Sequence, residues 1–221
     1  MIDADAVLLD LYDTLAQGLW PEVEHRLSTR LGVGDDVLLR AFELTRLDRG
    51  TGRFAGPEDD MAALVRACGL ESDPLFVREL TRAHIEFLVS GGVRLFDDAL
   101  STLRALRDAG IRTAIVSNCD HWTRPIVDGL GLQREVDGLI LSFEVGALKP
   151  DPAIFRLALD GLKVRPDRAA FVDDQIDYCA GASALGLRTF LIDRRGADRA
   201  GSAPVGSDGH ALIRDLTALL S

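Results

Sequence analysis

Lysine is almost missing from this chain of 221 residues: it occurs only at positions 149 and 163, and every other basic side chain is arginine. That bias singles out each retained lysine, because a compact ammonium and a planar guanidinium do different work. Positive charge is scarce overall, with 25 Lys and Arg against 35 Asp and Glu and a formal net charge of −10. A balance so acidic argues against nucleic acid as a partner, since that affinity comes from clustered cations that release counterions. A small-molecule substrate is the expected partner.

Cysteine is sparse as well. Cys68, Cys119 and Cys179 are odd in number and lack metal-ligand spacing, so neither a disulfide framework nor a zinc site is expected. His25, His84 and His210 form no ligand spacing with one another or with the acids. No apolar run approaches the roughly 20 residues that span a bilayer. Met1-Ile2-Asp3-Ala4-Asp5 lacks the basic region and apolar stretch of a signal peptide. The expectation is a cytoplasmic monomer or homodimer with no membrane partner.

What the chain does contain is a series of short apolar runs, at 6–9, 113–116, 139–141, 169–172 and 189–192. They are apolar throughout and separated by segments of helical period, the pattern of buried parallel strands. Leu100, Leu103 and Leu106 share one face of a helix that Gly110 stops, and Pro152 suits the first turn of a helix reaching about residue 162. The fold class is α/β: a doubly wound, Rossmann-like parallel sheet whose ligands bind beyond the carboxyl ends of the strands.

Between residues 16 and 92 the pattern changes to helices near 21–32, 35–49, 57–68 and 74–89, with no convincing strand. This reads as an all-helical cap domain (16–92) inserted into an α/β core domain (1–15 and 93–221), with Gly91-Gly92 as a hinge. Residues 196–209 read as loop and 211–220 as a closing helix.

Polar residues follow the strands at four stations: Asp10 and Thr14, Ser117-Asn118, Lys149 before Pro150, and Asp173-Asp174. In Leu9-Asp10-Leu11-Tyr12-Asp13-Thr14-Leu15, Val116-Ser117-Asn118, Leu148-Lys149-Pro150-Asp151-Pro152 and Phe171-Val172-Asp173-Asp174, followed by Gly181-Ala182, the chain resembles the haloacid dehalogenase superfamily. The four motifs stand in order on the expected elements, which lifts each above the false-positive rate of a short motif.

The resemblance implies that Asp10 is a nucleophile, that Thr14 and Ser117 hold the transferring group, and that Lys149 neutralises charge. In the metal-using branch, mostly phosphatases, Mg²⁺ would be held by Asp10, the Tyr12 carbonyl and Asp174, with Asp173 binding it directly or through its waters. Asn118 would bond within its loop or to substrate.

Both tyrosines mark departures from the pattern. Tyr12 stands where family phosphatases place an acid/base aspartate, and Tyr178 stands where a supporting acid or amide is common. Tyrosine at the first of these positions is what the family's true dehalogenases have; there a cap arginine cradles halide, and Arg40 falls where such an arginine would, among Val37, Leu44 and Leu47. Phe155 and the pair Asp173-Asp174 speak against dehalogenation. Two carboxylates about 4 Å apart repel by roughly 4 kcal/mol at an effective dielectric of 20, so the acid pair favours a bound cation. The expectation is therefore a Mg²⁺-dependent phosphatase or phosphotransferase with weakened acid/base catalysis. The alternatives are a 2-haloacid dehalogenase and a low-activity binding or regulatory member of the fold. Among lesser candidates, His121 is expected to be exposed, and Trp20 to line the pocket or staple the hinge.

Overall fold

The computed structural model describes residues 1–194 and 209–221. The chain opens with β1 (Ala6–Leu9) and β2 (Ala16–Gly18) and continues through α1 (Trp20–Leu31), α2 (Asp35–Gly50), α3 (Pro57–Ala67) and α4 (Pro74–Phe87). It returns through β3 (Val93–Leu95), α5 (Ala99–Asp108), β4 (Arg112–Ser117), α6 (Thr123–Gly129), β5 (Gly138–Leu141) and the short α7 (Ser142–Val145). It ends with α8 (Pro152–Leu162), β6 (Ala169–Asp173), α9 (Ile176–Ala184), β7 (Arg188–Ile192) and β8 (Ala211–Ile213).

Six strands form one parallel sheet in the order β5–β4–β1–β6–β7–β8. Successive side chains of a strand point to opposite faces, and here both faces are covered. Val7 and Leu9 of β1 join Leu103 and Leu106 of α5 on one side. Ala6 and Leu8 join Ile154, Phe155 and Ala158 of α8 on the other. That double coverage is why the strands read as continuous apolar runs rather than as alternation.

The chain leaves β1 toward β4 and later returns to its other side with β6, so β1 lies at the topological switch point. Leu9 pairs with Ile115 on one side and Val172 on the other. The residues that follow these strands therefore emerge next to one another.

The four helices between β2 and β3 lie within two residues of the expected segments. Pro57 and Pro74 occupy first-turn positions, and the Asp73 side chain accepts a hydrogen bond from the Phe76 amide at 2.8 Å. After α4, a wider turn at Leu88–Gly92 carries Gly91 at φ 133°, a backbone conformation open to glycine. Among the described residues no helix is long and apolar enough to cross a membrane.

Two expectations are corrected. β2 and β3 form an antiparallel ribbon, Ala16 to Leu95 and Gly18 to Val93, where no strand was expected; three residues each are too short to show a period. Residues 211–220 do not make one continuous helix. Ala211–Ile213 pairs with β7 as an edge strand, and one tight turn at Leu216–Leu220 follows, with its Leu216 and Leu219 buried in the core. Apart from Gly209, the expected loop at 196–209 lies outside the described residues.

The packing of α9 against the Lys149-Pro150 segment yields a paired prediction. A Cβ on Gly181 would stand 2.8 Å from the Pro150 carbonyl oxygen and 2.7 Å from its Cβ, whereas one on Gly161 of α8 meets nothing within 4 Å. Gly181→Ala should lower stability in urea by about 1–3 kcal/mol, the usual cost of overpacking. Gly161→Ala should raise it by roughly 0.5–1 kcal/mol. Equal urea midpoints for the two variants would contradict this packing.

Candidate functional site

Asp10 follows β1, its amide donating to the Val172 carbonyl at 2.9 Å. Lys149 enters from the loop before α8, and its Nζ lies 2.6 Å from Asp10 Oδ1 and 2.6 Å from Asp173 Oδ2, with all three side chains buried. The second oxygen of Asp173 accepts the Gln175 amide at 2.8 Å. Asp174 is half-buried and accepts from Gln175 Nε2 at 2.6 Å. Carboxylate oxygens of Asp10, Asp173 and Asp174 lie within 4.8 Å of one another.

One ammonium cannot neutralise three carboxylates, and their proton affinities reflect this. Burial pushes Asp10 up to about 7; Lys149 opposes the shift and Asp173 adds to it. Burial also raises Asp173. It raises Asp174 to about 6, helped by Asp10 and Asp13. For Lys149, burial works to lower the value, but Asp10 and Asp173 outweigh it and hold the ammonium above its ordinary range. An oxygen-only donor set with surplus negative charge suits a hard divalent cation such as Mg²⁺.

Two hydroxyls complete this part of the site. Thr14 Oγ1 and Ser117 Oγ are buried without a hydrogen-bond partner among the described residues, a state that costs about 1–3 kcal/mol per group. Acceptor oxygens of a ligand would satisfy both.

The frame around these residues is polar and specific. Asn118 spends its amide on the main chain of Lys149, donating to the carbonyl at 2.9 Å and accepting from the amide at 2.7 Å. Of its two expected roles the intramolecular bond is the one seen, and Asn118 also reaches the cavity wall. Ser142 Oγ accepts the Cys119 amide at 2.9 Å and donates to the Cys119 carbonyl at 3.0 Å. Arg194, to which no motif pointed, donates to the Thr14 carbonyl and pairs with Asp98 at 2.8 Å.

Reached from the cluster through Tyr12, Asn118 and Tyr178 rather than walled by the carboxylates themselves, a cavity of about 380 Å³ has Tyr12, Trp20, Trp122 and Tyr178 among its walls, all the tyrosines and tryptophans the chain has. The Tyr12 hydroxyl is 2.9 Å from Thr123 Oγ1, and its ring meets Trp20 edge-on at 5.1 Å. Burial holds its phenol well above the ordinary value. The Tyr178 ring lies 5.1 Å from Lys149 Nζ, close enough for cation–π attraction. Trp20 thus lines the cavity and also packs over Gly18 of β2.

Arg40 is corrected by its position: it is exposed and is not part of the cavity wall. Arg49 is the buried arginine there, paired with Asp120 and lying over the rings of Phe42 and Trp122. Nine residues at about 100° each put the two arginines half a turn apart. The buried stripe of α2 is Leu38, Ala41, Thr45 and Arg49, while Val37, Leu44 and Leu47 face outward. His121 is not exposed either. Its Nδ1 lies 2.9 Å from Asp60 Oδ2, which joins the loop after β4 to α3. Burial lowers His84 to about 4, assisted by Arg49.

Residues 4–186 match the model of the haloacid dehalogenase-like hydrolases. The chain belongs to this family. Haloacid dehalogenase-like hydrolase domain-containing protein 3 of Mus musculus is 40% identical over 116 residues, 52% of this chain and 43% of the mouse protein. The chain thus matches less than half the length of that relative. (S)-2-haloacid dehalogenase H-109 of Pseudomonas putida is 26% identical over 90% of this chain and 91% of its own. Among solved structures, the haloacid dehalogenase phosphatase from Thermococcus onnurineus superposes with a TM-score of 0.66 at 25% identity, covering 97% of this chain and 95% of that one.

The burial of Asp174, reinforced by its neighbouring carboxylates, predicts how stability depends on pH without metal. The folded value of Asp174 is raised from 3.8 to about 6, so the folded state holds more protons within that window. Its contribution is fully present below the window and is lost as pH rises through it. Subtracting the Asp174→Asn profile of urea midpoints from that of the unmodified protein in chelator should leave a curve that falls between those limits. A flat difference would show that Asp174 does not feel the cluster.

Proposed function

We propose that this hydrolase is a Mg²⁺-dependent phosphatase or phosphotransferase that transfers a phosphoryl group from a small substrate to Asp10. The observation that carries the reading is the gathering of three carboxylates about one buried lysine. Asp10, Asp174 and the Tyr12 carbonyl would hold the cation, which when bound would screen the carboxylates and the phosphoryl charge. Asp173 has both oxygens engaged, by Lys149 and the Gln175 amide, and serves chiefly to position the lysine.

The chain's own groups do the rest. A carboxylate oxygen of Asp10 attacks phosphorus, and the hydroxyls of Thr14 and Ser117 donate to the phosphoryl oxygens. Lys149 keeps Asp10 oriented and offsets the charge that gathers there. Water then attacks the aspartyl phosphate and regenerates Asp10. No carboxylate at position 12 activates that water, so the second half of the reaction is slow. An absent acid/base group costs about 10² to 10⁴ in rate.

Dehalogenation is the second reading, favoured by one observation: Tyr12 and Arg49 share the wall of the cavity. A halide leaving group would have to compete with Asp120 for Arg49, and the carboxylate of a 2-haloacid would meet the acid cluster. Both weigh against it.

Tyr12→Asp should speed phosphomonoester hydrolysis by about 10²-fold or more, with Mg²⁺ raising Tm and a chelator abolishing turnover. No gain in a variant shown to bind Mg²⁺ would sink the phosphoryl-transfer reading as stated. Halide release from 2-chloropropionate in the presence of chelator would establish the second.

A further inference from the structure

The cavity beside Asp10 has mainly apolar and aromatic walls, and most polar groups on its buried surfaces are already engaged; the neutral His84 ring, edge-on to Trp122, is an exception, without a hydrogen-bond partner among the described residues. Arg49 is held by Asp120, Asp120 also accepts the Trp122 amide, Asn118 is bound to the Lys149 main chain, and the Tyr12 hydroxyl pairs with Thr123. Trp20, Phe42 and Trp122 supply flat faces, and Val23, Leu88 and Ile126 fill between them. A sugar or polyol would press several hydroxyls against walls that offer them few partners, leaving most of them desolvated and unpaired. A second anionic group would find Arg49 taken and Arg46 exposed and paired with Glu43.

The same wall bears on the leaving group. A carboxylic acid beside the nucleophile would protonate a departing alkoxide; here Tyr12 stands there with its hydroxyl tied to Thr123. An alkoxide is a poor leaving group without a proton. A phenolate, whose conjugate acid has a pKa of about 10, can depart without one.

We propose that the substrates are phosphate monoesters of phenols, whose neutral ring occupies this cavity and whose oxygen departs unprotonated. This deepens the phosphoryl-transfer reading above and rests on it. In the first step an Asp10 oxygen forms a bond to phosphorus while the phosphorus–aryl oxygen bond breaks, its electron pair leaving with the phenolate. The phenolate takes a proton from solvent. In the second step a water oxygen bonds to phosphorus, the phosphorus–Asp10 bond breaks, and orthophosphate, the Asp10 carboxylate and the water's proton are released.

The experiment has a kinetic arm and a binding arm, both on the full chain with Mg²⁺. In substituted phenyl phosphates, log kcat/KM should fall steeply as the pKa of the phenol rises, and Tyr12→Asp should flatten that slope. Benzylphosphonate, which has no leaving group, should inhibit at least about tenfold more tightly than methylphosphonate, and Trp20→Ala should shrink the difference, as expected for lost apolar contact. A shallow slope in the unmodified protein overturns the proposal, because some other group, such as Glu24, then supplies the proton. Equal inhibition by the two phosphonates also overturns it. Acetyl phosphate, which brings no ring, separates the two levels: its turnover without aryl preference removes this inference alone, whereas no turnover of any phosphate removes the phosphoryl-transfer reading as well.

Discussion

The Lys149 ammonium, 2.6 Å from both Asp10 and Asp173 and shut away from water, is the interaction on which the rest of the site depends. Burying such a charge costs several kcal/mol unless its partners are close and well oriented. That requirement fixes much of the architecture. Asp10 and Asp173 can face one lysine because β1 and β6 are adjacent at the switch point of the sheet. Lys149 reaches them because Asn118 grips its main chain and because Gly181 lets α9 close onto Pro150. The pairing leaves negative charge over, since Asp174 belongs to the same cluster. That surplus, together with the two unpaired hydroxyls, makes the site ready for a cation and an anionic ligand and uncomfortable without them.

The inserted helices are tied to the core by a different kind of contact. Arg49 to Asp120, Asp60 to His121, and the Trp122 indole to the Pro57 carbonyl all converge on the loop after β4. Charged and hydrogen-bonded pairs of this kind fix register more sharply than apolar contact does. They also consume the polar groups that a hydrophilic substrate would need. On the proposed reading the cavity selects through its aromatic faces, and the chemistry belongs to the carboxylates beside them.

The sequence disclosed the sheet because buried parallel strands are apolar on both faces, so 6–9 and 169–172 stand out. The inserted helices were legible from the change of pattern between residues 16 and 92. The ribbon of β2 and β3 was not, because its pairing is created by residues far apart in the chain. The face of α2 was misread for a physical reason: its inward stripe carries Ala41, Thr45 and Arg49, while three of its aliphatic side chains, Val37, Leu44 and Leu47, face outward. Arg40 and His121 were misplaced for related reasons, since burial of a charged side chain depends on partners such as Asp120 and Asp60 that no local pattern reveals. Asp10, Lys149, Asp173 and Asp174 were legible as stations after strands, and the fold brings them together. That both tryptophans join both tyrosines around one cavity is a property of the tertiary structure alone.

Mass spectrometry of the acid-quenched protein after brief incubation with phenyl phosphate tests the central claim most directly. The account predicts a phosphoryl group on the peptide that contains Asp10, present with Mg²⁺, lost with chelator and accumulating because water is poorly activated. Hydrolysis of the ester with Asp10 unlabelled throughout, or labelling that persists in chelator, would contradict it.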